Sequence, residues 1–199
     1  GGKGMNADLK SYTAKCYPNG KADLFSAFIE RGFDFIRDFG RHSMVTMQSW
    51  MFLSSYEKLR ERLLGAATLD AMAHLGNGVM GIAFGTAATN FRKSHLKDSV
   101  GVFCWVENDD LKGEVPANWP PRNKRNMKAG PNGFFRASSE DFKKVPGSPI
   151  AYWVGDILAG VYDKFPQLYE STISEGQNIT ANNDKFLRNV WEVSADKVG

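Results

Sequence analysis

From residue 22 to residue 106 the chain alternates between two kinds of segment, and this alternation limits the folds open to it. Apolar residues at three- and four-residue spacing predict helices at 22–40 and 56–64. Short apolar segments predict strands at 42–48, 67–75, 85–93 and 99–106. Strands that alternate with helices favour a parallel α/β sheet, and the last two strands, joined by a short polar loop, predict an antiparallel hairpin added to it.

The ends of these helices also follow from the sequence. Gly40 is a plausible C-cap for the first helix, and Ser54 or Ser55 can cap the second, which Gly65 would end. The first twenty residues contain glycine, asparagine and proline, and they predict a loop.

The composition changes at about residue 107. The segment 107–133 is rich in proline, glycine, asparagine and charge, which predicts a long loop or an interdomain linker. Beyond it, SPIAYWVGDILAGVYDKF at 148–165 predicts an amphipathic helix. We therefore expect the chain to divide into three parts, at 1–106, 107–147 and 148–199.

The composition excludes several classes of protein. A content of 42% hydrophobic and 24% charged residues is typical of a globular protein, and no apolar run approaches the roughly 20 residues that cross a bilayer. Two cysteines, Cys16 and Cys104, are too few for a disulfide framework, which favours a reducing, cytoplasmic setting. The three histidines lack metal-ligand spacing, so we expect no metal site.

Positive charge is concentrated in one segment. The net charge of the chain is +3, but the stretch from Lys112 to Ser148 contains eight basic and three acidic residues. Such a stretch is typical of a surface that contacts phosphate, and equally of a solvated loop. Charge alone favours the loop.

Three long segments carry a family resemblance: KADLFSAFIERGFDFIRDFG, HSMVTMQSWMFLSSYEKLRERLL and DFKKVPGSPIAYWV. With GQNITANNDKFLRNVWEVS near the end, they resemble the adenine-specific DNA methyltransferases of BREX phage-exclusion and restriction-modification systems, the PglX group. The resemblance covers essentially the whole chain. It implies a partial Rossmann-like class I S-adenosylmethionine-dependent methyltransferase sheet with a C-terminal hairpin, followed by the start of an α+β recognition region.

The same resemblance gives the three parts their roles. It implies the C-terminal half of the catalytic domain at 1–106, a basic linker at 107–147 and the start of the target-recognition region at 148–199. The family's catalytic motif, Asn-Pro-Pro-Tyr, is absent, and the opening GGKGMN resembles the stretch that follows it. The resemblance thus implies a fragment without catalytic residues of its own and without methyltransferase activity alone.

The resemblance also implies binding residues. Phe28, with Asp23 and Phe25 as lesser candidates, would contact the adenine of S-adenosylmethionine, because an aromatic ring offers a flat apolar wall to a purine. A phenylalanine on the apolar stripe of a helix is more often part of the core. For the flipped target adenine the loop GNGVMGIAFG implies Phe84 first and Met80 second, the alternative being a phenylalanine that packs inward.

DNA contacts are implied for the region after the catalytic domain. Phosphate contacts set the register of a protein on DNA, and Asn or Arg side chains can read base edges. The candidates are Arg122, Lys124, Arg125, Lys143, Lys144, Asn182, Asn183 and Arg188. For two other residues a structural role is favoured. The apolar neighbours of Trp50 favour packing, and the predicted strand favours a hydrogen-bonded core or strand-end position for His74.

As the function we predict methyl transfer from S-adenosylmethionine to the exocyclic amino group of adenine in double-stranded DNA, within a phage-defence or restriction-modification system. Other proteins of that system are expected partners, and neither a membrane nor a metal is. The alternative from another class is a non-catalytic DNA-binding or assembly subunit of a split methyltransferase. A third is an unrelated α/β protein that binds neither cofactor nor DNA.

Overall fold

The computed structural model describes residues 2–113, 115–129, 132–155, 160–162 and 164–166. The chain divides into two compact units, Gly1–Phe165 and Pro166–Gly199, and the described residues lie almost entirely in the first. Among the described helices, none combines the length and the apolar character that a membrane span requires.

Within its described residues, the first unit forms the following seven strands and five α-helices. The strands are β1 (Arg41–Met47), β2 (Thr68–Leu75), β3 (Thr86–Arg92), β4 (Val100–Val106), β5 (Leu111–Lys112), β6 (Val115–Pro116) and β7 (Phe135–Ser138). The helices are α1 (Ala7–Cys16), α2 (Leu24–Phe35), α3 (Glu57–Ala66), α4 (Lys124–Met127) and α5 (Ser139–Lys143). Short 3-10 helices lie at Gly2–Gly4, Gln48–Met51, Ser54–Tyr56, Val79–Gly81 and Asn108–Asp110.

Helix α1 replaces the loop predicted for the first twenty residues. The side chain of Asn6 caps it by accepting a hydrogen bond of 2.9 Å from the backbone N–H of Leu9. The ten residues of the helix contain neither glycine nor proline. The loop-forming residues that suggested otherwise flank the helix, at 1–6 and 17–20.

Helix α2 is shorter than predicted, and two of its phenylalanines are exposed. It ends at Phe35 because Ile36 is extended, so Gly40 is not its cap. Phe28 and Phe35, expected on the apolar stripe, are 57% and 70% exposed. Of its buried residues, Ile29 joins the main core and Gly32 lies against His42 on β1. Ser26 and Glu30 instead hydrogen-bond to Gly20 in the loop before the helix, and Ala27 lines a groove between α2 and α1.

The sheet is mixed, and its strand order is β1-β3-β2-β4-β7. β3 is antiparallel to both β1 and β2, β2 is parallel to β4, and β7 is antiparallel to β4. The predicted hairpin of the last two strands is therefore wrong, since β2 lies between β3 and β4. The connection between them crosses the start of β2, where Thr68 Oγ1 donates to the carbonyl of Ser94 and accepts from the N–H of Leu96.

The main core lies on one face of this sheet, under α2 and α3. Trp50 is completely buried in it, which confirms its predicted packing role. Its other large buried members come from all along the first unit: Ile29, Met51, Tyr56, Leu59, Leu63, Leu64, Leu69, Met72, Phe91, Phe103, Phe142, Ile150 and Tyr152.

The segment after residue 107 returns to the sheet. β7 pairs with β4, and the N–H of Ile150 donates a 2.8 Å hydrogen bond to the carbonyl of Met51. Residues 149–155 are non-helical, so the helix predicted at 148–165 is wrong at its start. Ile150 and Tyr152 enter the core from an irregular segment that turns at 152–153. The functional division at 107 and 148 stays a prediction.

One buried arginine holds that segment in place. The Nε and Nη2 groups of Arg60 donate to the carbonyl of Gly147 at 2.8 and 2.7 Å, and its Nη1 donates to the carbonyls of Trp50 and Leu53 at 2.9 and 2.7 Å. Burial lowers the pKa of Arg60, but the guanidinium stays charged at any working pH. Arg60 therefore ties α3 and the turn after β1 to the segment that precedes Ile150.

Candidate functional site

Several polar and aromatic side chains lie close together at one edge of the sheet. β1, β2 and β4 run in the same direction, and their carboxyl ends share this edge with the start of β3. Gln48 follows β1, and His74 and Trp105 face each other across β2 and β4, one residue before those strands end. In open α/β sheets this is the edge at which ligands bind.

His74 lies at the centre of a hydrogen-bonded row. Its Nε2 is 2.5 Å from Gln48 Oε1, and its Nδ1 is 3.3 Å from Tyr152 Oη. Burial, with a smaller effect of the Arg125 charge, lowers the pKa of His74 to about 4. The neutral ring then donates from Nε2 to Gln48 and accepts from Tyr152 at Nδ1. The predicted satisfied histidine is confirmed.

This burial has a consequence for stability at acid pH. The pKa of His74 is about 4 in the folded chain and near the ordinary histidine value of 6.5 in the unfolded chain. The unfolded state therefore binds more protons between these values, and the contribution of His74, present in full above pH 6.5, is lost as the pH falls to 4. The loss is on the order of 3 kcal/mol.

Urea denaturation at a series of pH values from 7 to 4 measures this loss. In His74→Gln the fall in the free energy of unfolding should be shallower by most of that amount. A residual slope should persist, because burial also lowers the pKa of His42. Identical slopes in the variant and the wild type would contradict the assignment to His74.

Beside His74 lies a cavity of about 400 Å³, here called the tryptophan pocket. It is lined by Trp105, Arg125, Lys128, Phe135, Tyr152 and Trp153. The guanidinium carbon of Arg125 lies 4.1 Å from the ring centroid of Trp105, and its Nε is 3.3 Å from Glu107 Oε1. Trp153 is 48% exposed at the pocket. Aromatic walls with two cations suit a flat, anionic ligand.

Helix α4 is fastened to the end of β4 by two asparagines. Asn126, which is fully buried, accepts from the N–H of Trp105 and donates to the carbonyls of Trp105 and Pro121, at 2.7–2.9 Å. Asn123 caps α4 through its Oδ1 and donates to the carbonyl of Trp105 at 2.8 Å. These bonds hold Arg125 over the pocket.

The predicted phosphate contacts fall into two groups. Arg122 and Lys124 are exposed next to Arg125, and neither forms an ion pair within the described part of the chain. Lys143 ends α5 and Lys144 follows it, and they pair with Glu140 at 2.7 Å and with Asp141 at 2.8 Å, respectively. The other three predicted DNA contacts, Asn182, Asn183 and Arg188, lie outside the described residues.

The predicted cofactor residues take different positions on and before α2. Phe25 packs against the core, with its ring centroid 5.6 Å from that of Tyr56. Phe28 faces outward and lines a groove of about 180 Å³ together with Tyr12 and Leu24, among others. Asp23 precedes the helix, and its carbonyl accepts from Ser26 Oγ at 2.8 Å. Phe28 is therefore not a core residue.

A buried carboxylate fixes the loop before α2. Glu30 accepts from the N–H of Gly20 at 2.6 Å, from Asn19 Nδ2 at 3.1 Å and from Arg62 Nη1 at 2.7 Å. A buried carboxylate needs such partners. The hydrogen bonds from Asn19 and Gly20 also fix the loop that leads to Asp23.

The residues predicted for the target base lie just before β3. Phe84 is 63% exposed, so it does not pack inward, and Met80 belongs to the 3-10 helix Val79–Gly81. The carbonyl of Gly85 accepts from the N–H of Gln48 at 3.1 Å, and a side chain at position 85 would overlap that of Gln48. Phe84 is thereby placed at the same sheet edge as His74.

The convergence of Trp105, Tyr152 and Trp153 has no counterpart among the predicted sites. Trp105 belongs to an apolar strand segment, and the two later aromatics belonged to a predicted helix. Among the residues of this pocket, only the basic ones around position 125 could be predicted from the sequence, through their local positive charge.

Known proteins resemble this chain in sequence and in fold. Residues 2–80 match the model of the Eco57I restriction-modification methylase family. The chain is 38% identical over 198 residues to adenine-specific methyltransferase BrxX of Escherichia coli O9:H4 (strain HS). It is 31% identical over 200 residues to adenine-specific methyltransferase PglX of Lacticaseibacillus casei (strain Zhang). Each alignment covers 98% of this chain and 16% of the relative's length.

The methyltransferase subunit of a type I restriction-modification system from Streptococcus thermophilus has a similar fold. It superposes with a TM-score of 0.53 and 15% sequence identity, over 74% of this chain and 35% of that chain. The predicted α/β class is confirmed as a mixed α/β fold with a five-stranded sheet. Over nearly all of its length the chain is related to one segment of the adenine-specific methyltransferases BrxX and PglX, which confirms the resemblance predicted from its sequence.

Proposed function

We propose that this chain is part of an adenine-specific DNA methyltransferase of a phage-defence or restriction-modification system. The observation that carries the proposal is the similarity, over 98% of the chain, to two proteins named adenine-specific methyltransferases. In the complete enzyme the sheet would be the C-terminal half of a Rossmann-like class I methyltransferase domain. The enzyme would act in the cytoplasm on double-stranded DNA, together with other proteins of the defence system.

For the cofactor, we assign one wall of the adenine site to Phe28. Its exposed ring and the apolar groove beside it suit a purine, which supports the assignment. Phe25, which packs inward, and Asp23, which precedes the helix, would shape the site from behind. S-adenosylmethionine supplies the methyl group when bound, and the contribution of these residues is to bind and orient it.

For the target base, we assign stacking to Phe84, with Met80 as the second candidate. Adenine must leave the duplex before its amino group can be methylated, and a ring at the sheet edge can hold it there. Arg122, Lys124 and Arg125 would contact phosphates and set the register, with Lys143 and Lys144 as further contacts.

A methyl-transfer assay with labelled S-adenosylmethionine and unmethylated bacterial DNA tests the proposal. The chain is assayed alone and together with an N-terminal half that carries Asn-Pro-Pro-Tyr. We expect activity only in the mixture. Phe84→Ala should reduce that activity about tenfold or more, since base stacking is worth about 1–3 kcal/mol.

Phe39→Ala serves as the control, because Phe39 is 73% exposed and lies apart from this sheet edge, in the turn before β1. Activity of the chain alone would contradict the expected lack of catalytic residues. If both pieces are folded but the mixture transfers no methyl group, the non-catalytic DNA-binding subunit becomes the favoured function.

A further inference from the structure

The tryptophan pocket is one end of a longer groove. It shares Lys128, Phe135, Tyr152 and Trp153 with a neighbouring cavity of about 420 Å³ that reaches Arg136. That cavity shares Asn132, Phe134 and Arg136 with a third one of about 980 Å³, which extends to Arg122. We call the three together the basic-aromatic groove.

Cations and aromatic rings line this groove together. Its described lining contains four basic residues and no acidic residue. Glu107 pairs with Arg125 but does not itself line the groove. The basic residues are Arg122, Arg125, Lys128 and Arg136, and the aromatic residues are Trp105, Phe134, Phe135, Tyr152 and Trp153. A ligand that matches must carry repeated negative charges with flat apolar groups between them.

An unpaired nucleic-acid strand has this chemistry. Its phosphates can pair with guanidinium and ammonium groups, and its bases are free to stack on rings. In a duplex the bases are already stacked on each other, so the aromatic rings of the groove would have no partner. A single nucleotide would fill only one of the three cavities.

We propose that the basic-aromatic groove binds an unpaired segment of a DNA strand. Trp153, half-exposed at the tryptophan pocket, stacks on a base, and Arg125 contacts the adjoining phosphate. The choice of DNA over RNA rests on the proposed function, because a base-flipping enzyme creates unpaired nucleotides at its target.

Fluorescence anisotropy of a labelled ten-nucleotide DNA strand, titrated with the 199-residue chain, tests this inference. The single strand should bind more tightly than a duplex of the same sequence and should quench the tryptophan emission. Trp153→Ala and Arg125→Gln should each weaken binding at least about fivefold, whereas Trp153→Phe should retain most of the affinity. Arg125→Gln should also lower the salt slope by about 0.7.

Arg31→Gln is the matched control. Arg31 also lies over an aromatic ring, that of Phe35 at 4.4 Å, but on helix α2 and outside the groove. Its removal takes away the same charge and should leave the affinity unchanged. Circular dichroism melting of each variant verifies that it is folded, which the exposure of Trp153 and Arg125 favours.

Three results would overturn the inference: no binding, tighter binding of RNA, or equal affinity for duplex and single strand with no effect of Trp153→Ala. The proposed function fails separately. If the strand binds as expected but the mixture with the Asn-Pro-Pro-Tyr half transfers no methyl group, the groove stands and the methyltransferase assignment falls. If methyl transfer occurs without strand binding, only the groove is refuted.

Discussion

Replacing Arg60 with methionine should lower the free energy of unfolding by about 3–5 kcal/mol. Methionine fills much of the same space but donates no hydrogen bond. The carbonyls of Trp50, Leu53 and Gly147 would lose their shared charged donor in a buried place. Urea denaturation followed by tryptophan fluorescence measures the change.

Two variants show whether the hydrogen bonds cause the loss. Lys58→Met makes a similar change at an exposed position of the same helix and should alter stability by less than about 0.5 kcal/mol. Arg60→Lys keeps the charge but cannot reach all three carbonyls, so its loss should be intermediate. A loss below about 1 kcal/mol in Arg60→Met would mean that water replaces the guanidinium.

Gly32→Ala should lower the free energy of unfolding by about 2–3 kcal/mol. A Cβ at this position would fall within the imidazole ring of His42 on β1. That ring is itself buried and lies 5.0 Å from the ring of Phe33, so it has little room to move. Helix α2 must then lift from the sheet.

Gly65→Ala is the matched comparison, because position 65 on α3 faces open space. There the same substitution should raise stability by about 0.5–1 kcal/mol, through the higher helix propensity of alanine. In a His42→Ala background Gly32→Ala should lose most of its effect. If the two glycine variants behaved alike, the close contact between α2 and β1 would be refuted.

Most regular elements could be predicted from local pattern, but their arrangement could not. Strands β1 to β4 and helices α2 and α3 carry clear periodicity, and all six form. The partner of β3 depends on residues far away in sequence, which is why the predicted hairpin failed. β7 lies beyond a stretch rich in proline and glycine, which hid its return to the sheet.

Helical spacing also misled in two places. Phe28 and Phe35 repeat at the interval of a buried stripe but are exposed, whereas Gly32 lies directly against β1. Ile150 and Trp153 fit a helical pattern, yet Ile150 reaches the core from non-helical backbone and Trp153 lies in a turn.

The candidate site was predictable only where chemistry was local. The charge around Arg125 and the exposed ring of Phe84 follow from short segments. The row of Gln48, His74 and Tyr152 joins residues up to about a hundred positions apart, so only the folded chain brings it together.

The contact between Ile150 and Met51 also means that the core is completed late in the synthesis of this segment. Translation adds about 5–20 residues per second, so on the order of 5–20 s pass between the emergence of Met51 and that of its partner. During this interval the faces of β2 and β4 that Tyr152 and Phe142 later cover stay open to other nascent chains. The hydrogen bonds from Arg60 to Gly147 also form only near the end of this interval, and we expect the yield of native protein to depend on chaperones that bind during it.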